Sequence, residues 1–439
     1  MKSTFFLAVL GLSLISPNAF AADWPVFHGP AGDNKSTETG LLQDWPDEGP
    51  QMLWKAEGLG KTDKPSSFAG VVVQAGRVYT MGNVDKEGDA KTATVTLYCL
   101  DESTGKELWA VPVGEGWKRH FEGDRSTPTL DGERVYAFAS LGQLGCFSTQ
   151  DGKEIWTRNL ANDYEAALPT WGYAQSVVVA GDLLIVGPGG KKASVVALDK
   201  TSGKTVWETP PMTFETVKEG EEPVQETEIA GYATPYLFEH GGRRIVALMD
   251  QKALLLVDLK DGALLARYVH ETKHDINATM PYYEDGTLLI TSGYGTTGME
   301  LLTIKAAGDG IELERIWQQK RFDNQHGGII VLDGYVYGSA HQYKGGAWLC
   351  LKREDGELVW DDKTIPQGSC FYADGRMYCM DEKEGNVVLL NPSPEKFDMT
   401  GRFQLPQEGQ GAYWAHPVVC NKKLYLRHDT FLYCYDVAK

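Results

Sequence analysis

Six short segments of the chain combine aromatic rings with groups that exchange protons or bind cations. Aromatic rings stack on flat ligands, imidazoles transfer protons or ligate metals, and carboxylate and amide oxygens are the donors that calcium prefers. Such a set predicts a site for a quinone cofactor, a metal or a flat polar ligand. The candidate residues are His120, Asp124, Arg125, Trp171, Tyr173, His274, Asp275, Asn277, Asn324, His326, Ser369, Trp414 and His416.

Each candidate segment stands just before a stretch of alternating apolar residues, which is the pattern of a β-strand. If these strands are arranged around one axis, their lead-in loops converge at the mouth of a central funnel, and loops of this kind carry function in many folds. A second interpretation remains open. Funnel mouths are wet, and polar residues there also bind water and satisfy backbone groups.

A tryptophan-terminated phrase recurs along the chain and identifies the elements that position these loops. An apolar strand is followed by a D-x-x-T-G-K-like turn and a tryptophan four residues after the glycine, as in LYCLDESTGKELW, which ends at Trp109. Equivalent positions recur with a period of about 50 residues, which is typical of propeller blades. The eight positions are Trp54, Trp109, Trp156, Trp207, Ala266, Trp317, Trp360 and Phe403.

A second phrase, a tight turn followed by an alternating strand, occurs once between successive tryptophan positions, as in DGERVYAFAS from Asp131. The two phrases together predict four strands in each repeat and few, short helices. The chain therefore predicts an all-β, eight-bladed β-propeller with four-stranded antiparallel blades. The C-terminal strands up to Asp436 lack a tryptophan strand, and the segment around Trp54 supplies one, so the two ends are expected to close the ring.

The repeats resemble those of the pyrroloquinoline-quinone-like (PQQ-like) propeller superfamily, which includes quinoprotein alcohol dehydrogenases and an outer-membrane assembly lipoprotein. The opening DWPVFHGPAGDN, from Asp23, and the closing KKLYLRHDTFLYCYDV, to Val437, are similar to exported members without an assigned activity. The resemblance implies that the tryptophans at 54, 109, 156, 207, 317 and 360 stack between adjacent blades. It is specific for the fold, because the repeated residues are those that build blades.

The resemblance also implies what a PQQ-dependent dehydrogenase of alcohols or sugars would need. Its quinone would stack on a tryptophan, here Trp171 or Trp414, and its calcium would take oxygen ligands, here Asp275 and Asn277. The chain has neither the adjacent cysteine pair nor the C-x-x-C-H haem motif found in such enzymes. We therefore expect an envelope binding or scaffold protein that holds a ligand or protein partner at its funnel mouth, with the oxidoreductase as the alternative.

The N-terminus has the layout of a secretory signal. Lys2 precedes an apolar run from Phe5 to Ile15, and a small-residue site ends at Ala21. Cleavage there leaves a lead-in over residues 22–50 and a propeller over residues 51–439. No cysteine follows the site, so a lipid anchor is not expected, and a periplasmic or secreted location is predicted.

Charge and cysteine content narrow the partners further. The formal net charge of −18 disfavours nucleic acid, so the expected partner of a monomeric protein is a small molecule or an envelope protein. The seven cysteines include four, Cys99, Cys146, Cys350 and Cys434, in equivalent strand positions where a small apolar side chain packs. Cys370 and Cys379 face each other if Asp374 and Gly375 form a hairpin turn, a geometry that permits a disulfide.

Overall fold

The computed structural model describes residues 23–87, 89–216, 222–295 and 297–439. The predicted signal segment, residues 1–21, therefore lies outside the described residues. Two short strands come first, β1 (Lys35–Ser36) and β2 (Met52–Ala56). The remaining strands fall mostly into eight antiparallel sheets, which confirms the predicted eight-bladed propeller.

The blades are numbered by the order of their innermost strands. Blade 1 contains β3 (Val72–Gln74), β4 (Arg77–Lys86), β5 (Asp89–Asp101) and β6 (Glu107–Glu115); blade 2 contains β7 (Thr129–Asp131), β8 (Arg134–Phe138), β9 (Gln143–Ser148) and β10 (Glu154–Asn159); blade 3 contains β11 (Val178–Ala180), β12 (Leu183–Val186), β13 (Val195–Asp199) and β14 (Thr205–Thr209). A separate hairpin follows, made of β15 (Thr213–Thr216) and β16 (Val224–Thr227).

The second half of the ring repeats the arrangement. Blade 4 contains β17 (Tyr236–His240), β18 (Arg243–Met249), β19 (Ala253–Asp258) and β20 (Leu264–Val269); blade 5 contains β21 (Tyr282–Glu284), β22 (Thr287–Ser292), β23 (Gly298–Ala307) and β24 (Gly310–Gln319); blade 6 contains β25 (Ile329–Leu332), β26 (Tyr335–Ala340), β27 (Ala347–Lys352) and β28 (Leu358–Asp362). Blade 7 contains β29 (Gly368–Ala373), β30 (Arg376–Asp381), β31 (Asn386–Asn391) and β32 (Asp398–Gln404); blade 8 contains β33 (Val418–Cys420), β34 (Lys423–His428) and β35 (Phe431–Asp436).

Strand β2 completes blade 8 and closes the ring as predicted. It pairs antiparallel with β35, and Trp54 lies opposite Cys434. Helical structure among the described residues is confined to α1 (Leu160–Asp163) and a 3₁₀ turn (Tyr343–Gly345), which fits the expectation of few, short helices. None of the helices in the described ranges is long and apolar enough to cross a membrane.

Adjacent blades are joined through the recurring tryptophans. Trp54 packs on Gly105 of the next blade, and its indole Nε1 donates to the carbonyl of Glu102 at 3.0 Å. Gly105 has a φ of +69°, and a Cβ added to it would lie 2.4 Å from the indole ring, so the turn requires glycine. Trp109, Trp156, Trp207, Trp317 and Trp360 also donate to carbonyls of the following blade, at 2.9 to 3.3 Å.

Two blades replace the indole with other apolar groups. Behind Ala266 of blade 4, Ile311 and Leu313 from the long β23–β24 hairpin pack against the core together with Tyr268. In blade 7 the register places Gly401, not the predicted Phe403, at the tryptophan position opposite Leu389, and the Trp45 side chain covers Gly401 and lies 5.3 Å from the Phe403 ring. Neighbouring segments thus fill both degenerate positions.

Every outer strand carries a register shift at the residue before the tryptophan position, which in blade 7 is Gly401. In blade 1, for example, Trp109 pairs with Cys99 and Glu107 pairs with Leu100, which leaves Leu108 unpaired. Bulges of this kind disturb the regular edge that would otherwise invite pairing with another chain. The unpaired residues are Leu53, Leu108, Ile155, Val206, Leu265, Ile316, Val359 and Thr400.

The lead-in segment, described from residue 23, does not stay on the outer surface but crosses the central channel. Trp24 exchanges backbone hydrogen bonds with Val73 of blade 1, and Asn34 donates to the carbonyl of Cys370 in blade 7. Strand β1 then adds in parallel to β29. Loop prediction from composition missed this because the segment packs against inner strands that are remote in sequence.

The cysteines occupy two environments. Cys99, Cys146, Cys350 and Cys434 are buried, and each lies opposite a tryptophan of the outer strand, as expected for small packing residues. Cys370 and Cys379 lie directly opposite each other across β29 and β30, as the hairpin count predicts, and both side chains are free thiols.

Candidate functional site

A cavity of about 430 Å³ occupies the centre of the ring. Each blade contributes to its wall, in seven blades through a residue two to four positions before the innermost strand, so these loops converge at the centre of the ring. One lining residue from each blade in turn is Gly70, Thr127, Ala174, Thr234, Ala278, His326, Glu382 and His416.

The lead-in segment forms the base of this cavity. Phe27 lines the cavity, and its ring lies 5.1 Å from that of His416. His28 Nε2 lies 3.2 Å from His416 Nδ1. The channel therefore ends in a blind pocket whose base comes from a segment outside the blades.

The hydrogen bonds of His416 determine its tautomer. Its Nε2 lies 2.8 Å from the carbonyl oxygen of His326, which can only accept, so Nε2 carries the proton. In the neutral ring Nδ1 then accepts from His28 Nε2. Burial and the His326 ring lower the pKa of His416 to about 4, and burial together with His416 holds the pKa of His28 well below its usual value. Both imidazoles are therefore neutral near pH 7.

One side of the cavity wall carries Arg125. Its guanidinium donates to the carbonyls of Gly123 at 2.9 Å and Trp171 at 3.3 Å, and also to that of Phe121. It lies 5.3 Å from the centre of the Phe68 ring. Burial lowers its pKa to about 10, against the opposing effect of Asp124, so it remains a cation at neutral pH.

Asp124 does not form an ion pair that neutralises this guanidinium. Its Oδ1 accepts from Ser140 at 2.9 Å, and its Oδ2 has no hydrogen-bond partner among the described residues. Burial raises the pKa of Asp124 to about 7. This candidate residue lies behind the cavity wall rather than on it.

A second part of the wall carries Glu382. Its Oε1 accepts from Gln367 at 2.5 Å, and its Oε2 lies 3.7 Å from His326 Nε2. Burial raises the pKa of Glu382, although His341 and the hydrogen bond from Gln367 oppose the shift. Burial, with smaller effects of His341 and Arg125, lowers the pKa of His326 to about 4. The cavity thus has a guanidinium at one place and a carboxyl with neutral imidazoles at another.

Aromatic rings connect these polar groups. The ring of Trp414 lies 4.6 Å from that of Phe68 and 5.5 Å from that of His326. Trp171 contributes a further ring, 6.0 Å from Tyr232. Rings of this size supply apolar contact area and flat faces for stacking.

The structure brings together five of the candidate residues. Arg125, Trp171, His326, Trp414 and His416 all line the cavity. The remaining candidates do not line it. His120 and His274 are exposed, and Tyr173 is buried with its hydroxyl donating to the carbonyl of Pro188 at 2.8 Å.

Three other candidates serve the backbone, as the second interpretation of the polar loops predicts. The amide nitrogen of Asn277 donates to the carbonyls of Asp250 and Gln251, and that of Asn324 donates to the carbonyl of Ser339. Ser369 is buried, and its hydroxyl lies 3.4 Å from the carbonyl of Ala415. All three are expected to act structurally.

Several lining residues escaped prediction. Phe27 lies in the lead-in, whereas His341 and Glu382 follow second strands rather than preceding first ones. His341 and Glu382 could have been predicted from their position directly after the second strand of a repeat. Phe68, Phe121, Tyr232 and Tyr294 precede strands or follow them closely but were not distinguished from ordinary loop aromatics.

The residues proposed as calcium ligands do not fit that role. Both carboxylate oxygens of Asp275 are engaged, by Lys252 at 3.1 Å and Gln251 at 3.0 Å. The Asn277 Oδ1 accepts from Ser292 at 2.6 Å, so neither residue offers a free oxygen toward a shared ion. Within the described ranges, no group of three or more His, Cys, Asp or Glu side chains is arranged to hold a metal.

Comparison with known proteins gives consistent matches. A family model described as outer membrane protein assembly factor BamB matches residues 47–228 and 93–362. BamB of Burkholderia pseudomallei is 26% identical over 204 residues, which are 45% of this chain and 45% of that protein. BamB of Escherichia coli is 27% identical over 113 residues, which are 25% of this chain and 27% of that protein. The chain therefore spans less than half the length of these curated relatives in the matched regions.

Solved structures share the fold. BamB from Moraxella catarrhalis aligns with a TM-score of 0.55 at 15% identity, covering 88% of this chain and 99% of that one. Quinohemoprotein alcohol dehydrogenase from Comamonas testosteroni aligns with a TM-score of 0.52 at 11% identity, covering 95% of this chain and 81% of that one. At these identities the alignments establish a common propeller architecture and leave the activity open.

Proposed function

The chain belongs to the PQQ-like propeller family described as outer membrane protein assembly factor BamB, and on that premise we propose that it is a binding protein of the cell envelope. In this proposal the propeller is a rigid scaffold that holds a ligand or a group of a partner protein at the mouth of its central funnel. No covalent step is assigned to it.

The observation that carries the proposal is the blind cavity at the centre of the ring. It has about 430 Å³ of space, walls from all eight blades and a base formed by the lead-in. Aromatic faces together with a few polar groups are the composition of pockets that bind small molecules or side chains. Because the wall residues come from eight separate loops on a rigid frame, the pocket is preorganised for binding.

An envelope location is part of the same proposal. The pattern from Met1 to Ala21 favours export, and the similar proteins are named for outer membrane assembly. The acidic composition fits a soluble exported protein and disfavours phosphate-rich partners.

A PQQ-dependent oxidoreductase is not favoured. Trp171 and Trp414 both line the cavity and could stack on a quinone, but the expected calcium ligands Asp275 and Asn277 are engaged by other side chains. Titration with the quinone and calcium should therefore leave both the melting temperature and the quinone absorbance unchanged at micromolar ligand. A rise in melting temperature would reinstate the enzyme, because tight binding stabilises a fold by mass action.

Removal of the cavity aromatics tests the binding function. The variant Trp171→Ala, His326→Ala, Trp414→Ala should lose capture of envelope components that the wild type retains, because it removes three walls of the pocket. The control Arg119→Ala, His120→Ala changes two exposed residues near the same mouth and should bind like the wild type. Equal capture by all three proteins would show that the funnel is not the site.

A further inference from the structure

The chemistry of the cavity wall narrows the ligand class. Resting on the proposed binding function, we propose that the pocket selects a small ring-bearing carboxylate, with the carboxylate on Arg125 and the ring against Trp414 and Phe68. The sources of such a group include aromatic acids and sugar acids, which share the same recognition chemistry.

Arg125 has donor capacity that the protein does not use. A guanidinium carries five N–H donors, and three hydrogen bonds to carbonyls of Phe121, Gly123 and Trp171 are formed. Those carbonyls orient the group without neutralising it. No ion pair between described residues includes Arg125, and the Asp124 carboxyl affects it only over a longer distance, so its charge is available to an anion in the cavity.

The charge balance favours one carboxylate over a phosphate. Arg125 is the only lysine or arginine among the described residues that line the cavity, and the imidazoles of His326 and His416 are neutral near pH 7. Glu382 already adds a carboxyl to the same wall, so a dianionic phosphate would bring more negative charge than one guanidinium can compensate in a largely apolar pocket, which is costly. A single carboxylate that lies on Arg125, away from Glu382, needs only that guanidinium.

Glu382 supplies the complementary end. Its carboxyl, with the neutral His326 ring 3.7 Å away, accepts hydrogen bonds and repels a second anionic group. A ligand with its carboxylate at Arg125 would therefore direct a neutral or donor edge toward Glu382. The wall thus distinguishes the two ends of a ligand.

The remaining surface suits a ring. Trp414 and Phe68 lie 4.6 Å apart, and the Arg125 guanidinium lies 5.3 Å from the Phe68 ring centre. A ring that extends from a carboxylate on Arg125 is therefore placed beside these aromatic faces. Because Phe27 lies at the base, with His28 behind it against His416, the pocket takes a compact group rather than a threaded chain.

The test is calorimetric titration of the full chain with matched probes. 2-Naphthoate should bind the wild type at least about tenfold more tightly than 2-naphthamide, which has the same ring without the charge. Glucuronate and glucose form a second pair that separates a sugar acid from an aromatic acid. A preference for the acid in either pair supports the ligand class, and equal affinity for acid and neutral analogue in both pairs overturns it.

Variants of Arg125 test whether its guanidinium causes the preference for the acid over the amide. Arg125→Gln should reduce the ratio of acid to amide affinity to about one, and Arg125→Lys should give an intermediate ratio because it keeps the charge but loses the planar fork. Arg119→Gln, on an exposed neighbour, should keep the wild-type ratio. Trp414→Ala should weaken acid and amide by a similar factor. The inference is refuted if folded Arg125→Gln still prefers the acid over the amide as strongly as the wild type does. It is also refuted if no acid binds the wild type at millimolar concentration. The capture experiment tests the binding function separately.

Discussion

The contacts between blades and the wall of the central cavity use the same residue types in opposite ways. Between blades, each of the six tryptophans donates its Nε1 to a carbonyl of the following blade, and all but Trp360 have a glycine against the ring, so the indoles are committed to the contact between blades. In the cavity, Trp414 is only partly buried and lines the open space, and no ion pair between described residues includes Arg125. The tryptophans between blades therefore stabilise the ring, whereas the aromatic and cationic side chains of the cavity are available to a ligand or partner.

The comparison predicts that inter-blade tryptophans determine stability. Trp207 is buried and donates to the carbonyl of Leu259 at 3.0 Å. Trp207→Ala should lower the free energy of unfolding by about 4 kcal/mol, because it leaves a large cavity and an unpaired carbonyl. Urea denaturation measures the loss, and Trp207→Phe, which keeps a ring, should lose less. A change below about 1 kcal/mol for the alanine variant would contradict the assigned role.

The glycine partners should be nearly as sensitive. Gly105→Ala places a Cβ 2.4 Å from the Trp54 ring at a φ of +69°, and overpacking plus backbone strain should cost about 3 kcal/mol. Gly76→Ala is the matched control, since Gly76 also has a positive φ but open space around it. Its cost should be about 1 kcal/mol. If melting temperatures of the two variants coincide, steric contact with the indole is not what selects glycine.

Buried carboxyls near the funnel should make stability depend on pH. Burial, with the nearby Glu228 carboxylate, raises the pKa of Asp250 to about 8, and its Oδ2 has no described partner. The folded state then holds a proton more tightly than the unfolded chain, so this group's contribution falls as the pH rises from about 4 to about 8. Asp250→Asn should match the wild type at about pH 4 and exceed it by about 2 kcal/mol at about pH 5.5. Thermal unfolding at the two pH values checks this, and identical pH profiles would exclude a titrating Asp250.

Substitution of a cavity tryptophan should affect binding more than stability, in contrast to Trp207. Trp171 is half-buried in the wall, so Trp171→Ala should cost only about 1 kcal/mol of stability. The same change should weaken ligand or partner binding by about tenfold, because it removes a wall of the pocket. Unfolding and binding measured on one preparation would separate the two effects. A large stability loss with unchanged binding would place Trp171 with the blade residues.

The fold was readable from the sequence because its information repeats. Eight copies of one strand pattern specify the blades, and the unmatched strands around Trp54 and up to Asp436 predict their own pairing. The cavity was only partly readable. Arg125, Trp171, His326, Trp414 and His416 were found from their place before strands, but the same place also holds Asn277 and Asn324, whose amides serve the backbone.

The remaining lining residues depend on tertiary packing. Phe27 reaches the cavity only because the lead-in crosses the channel, through contacts such as that between Trp24 and Val73 that no local pattern encodes. Glu382 reaches it from the end of a second strand. Such lining residues can be identified only from the tertiary structure, which shows the direction of each side chain.

Site-specific photocrosslinking tests the central claim most directly. A photoreactive phenylalanine analogue would replace either Trp414 in the cavity or Ile155, which is exposed on an outer strand. Each protein would then be irradiated in the envelope of the producing cell. The account predicts a specific adduct from position 414 and none from position 155. The account would be contradicted if adducts formed at position 155 alone or equally at both positions. The binding surface would then not be confined to the funnel.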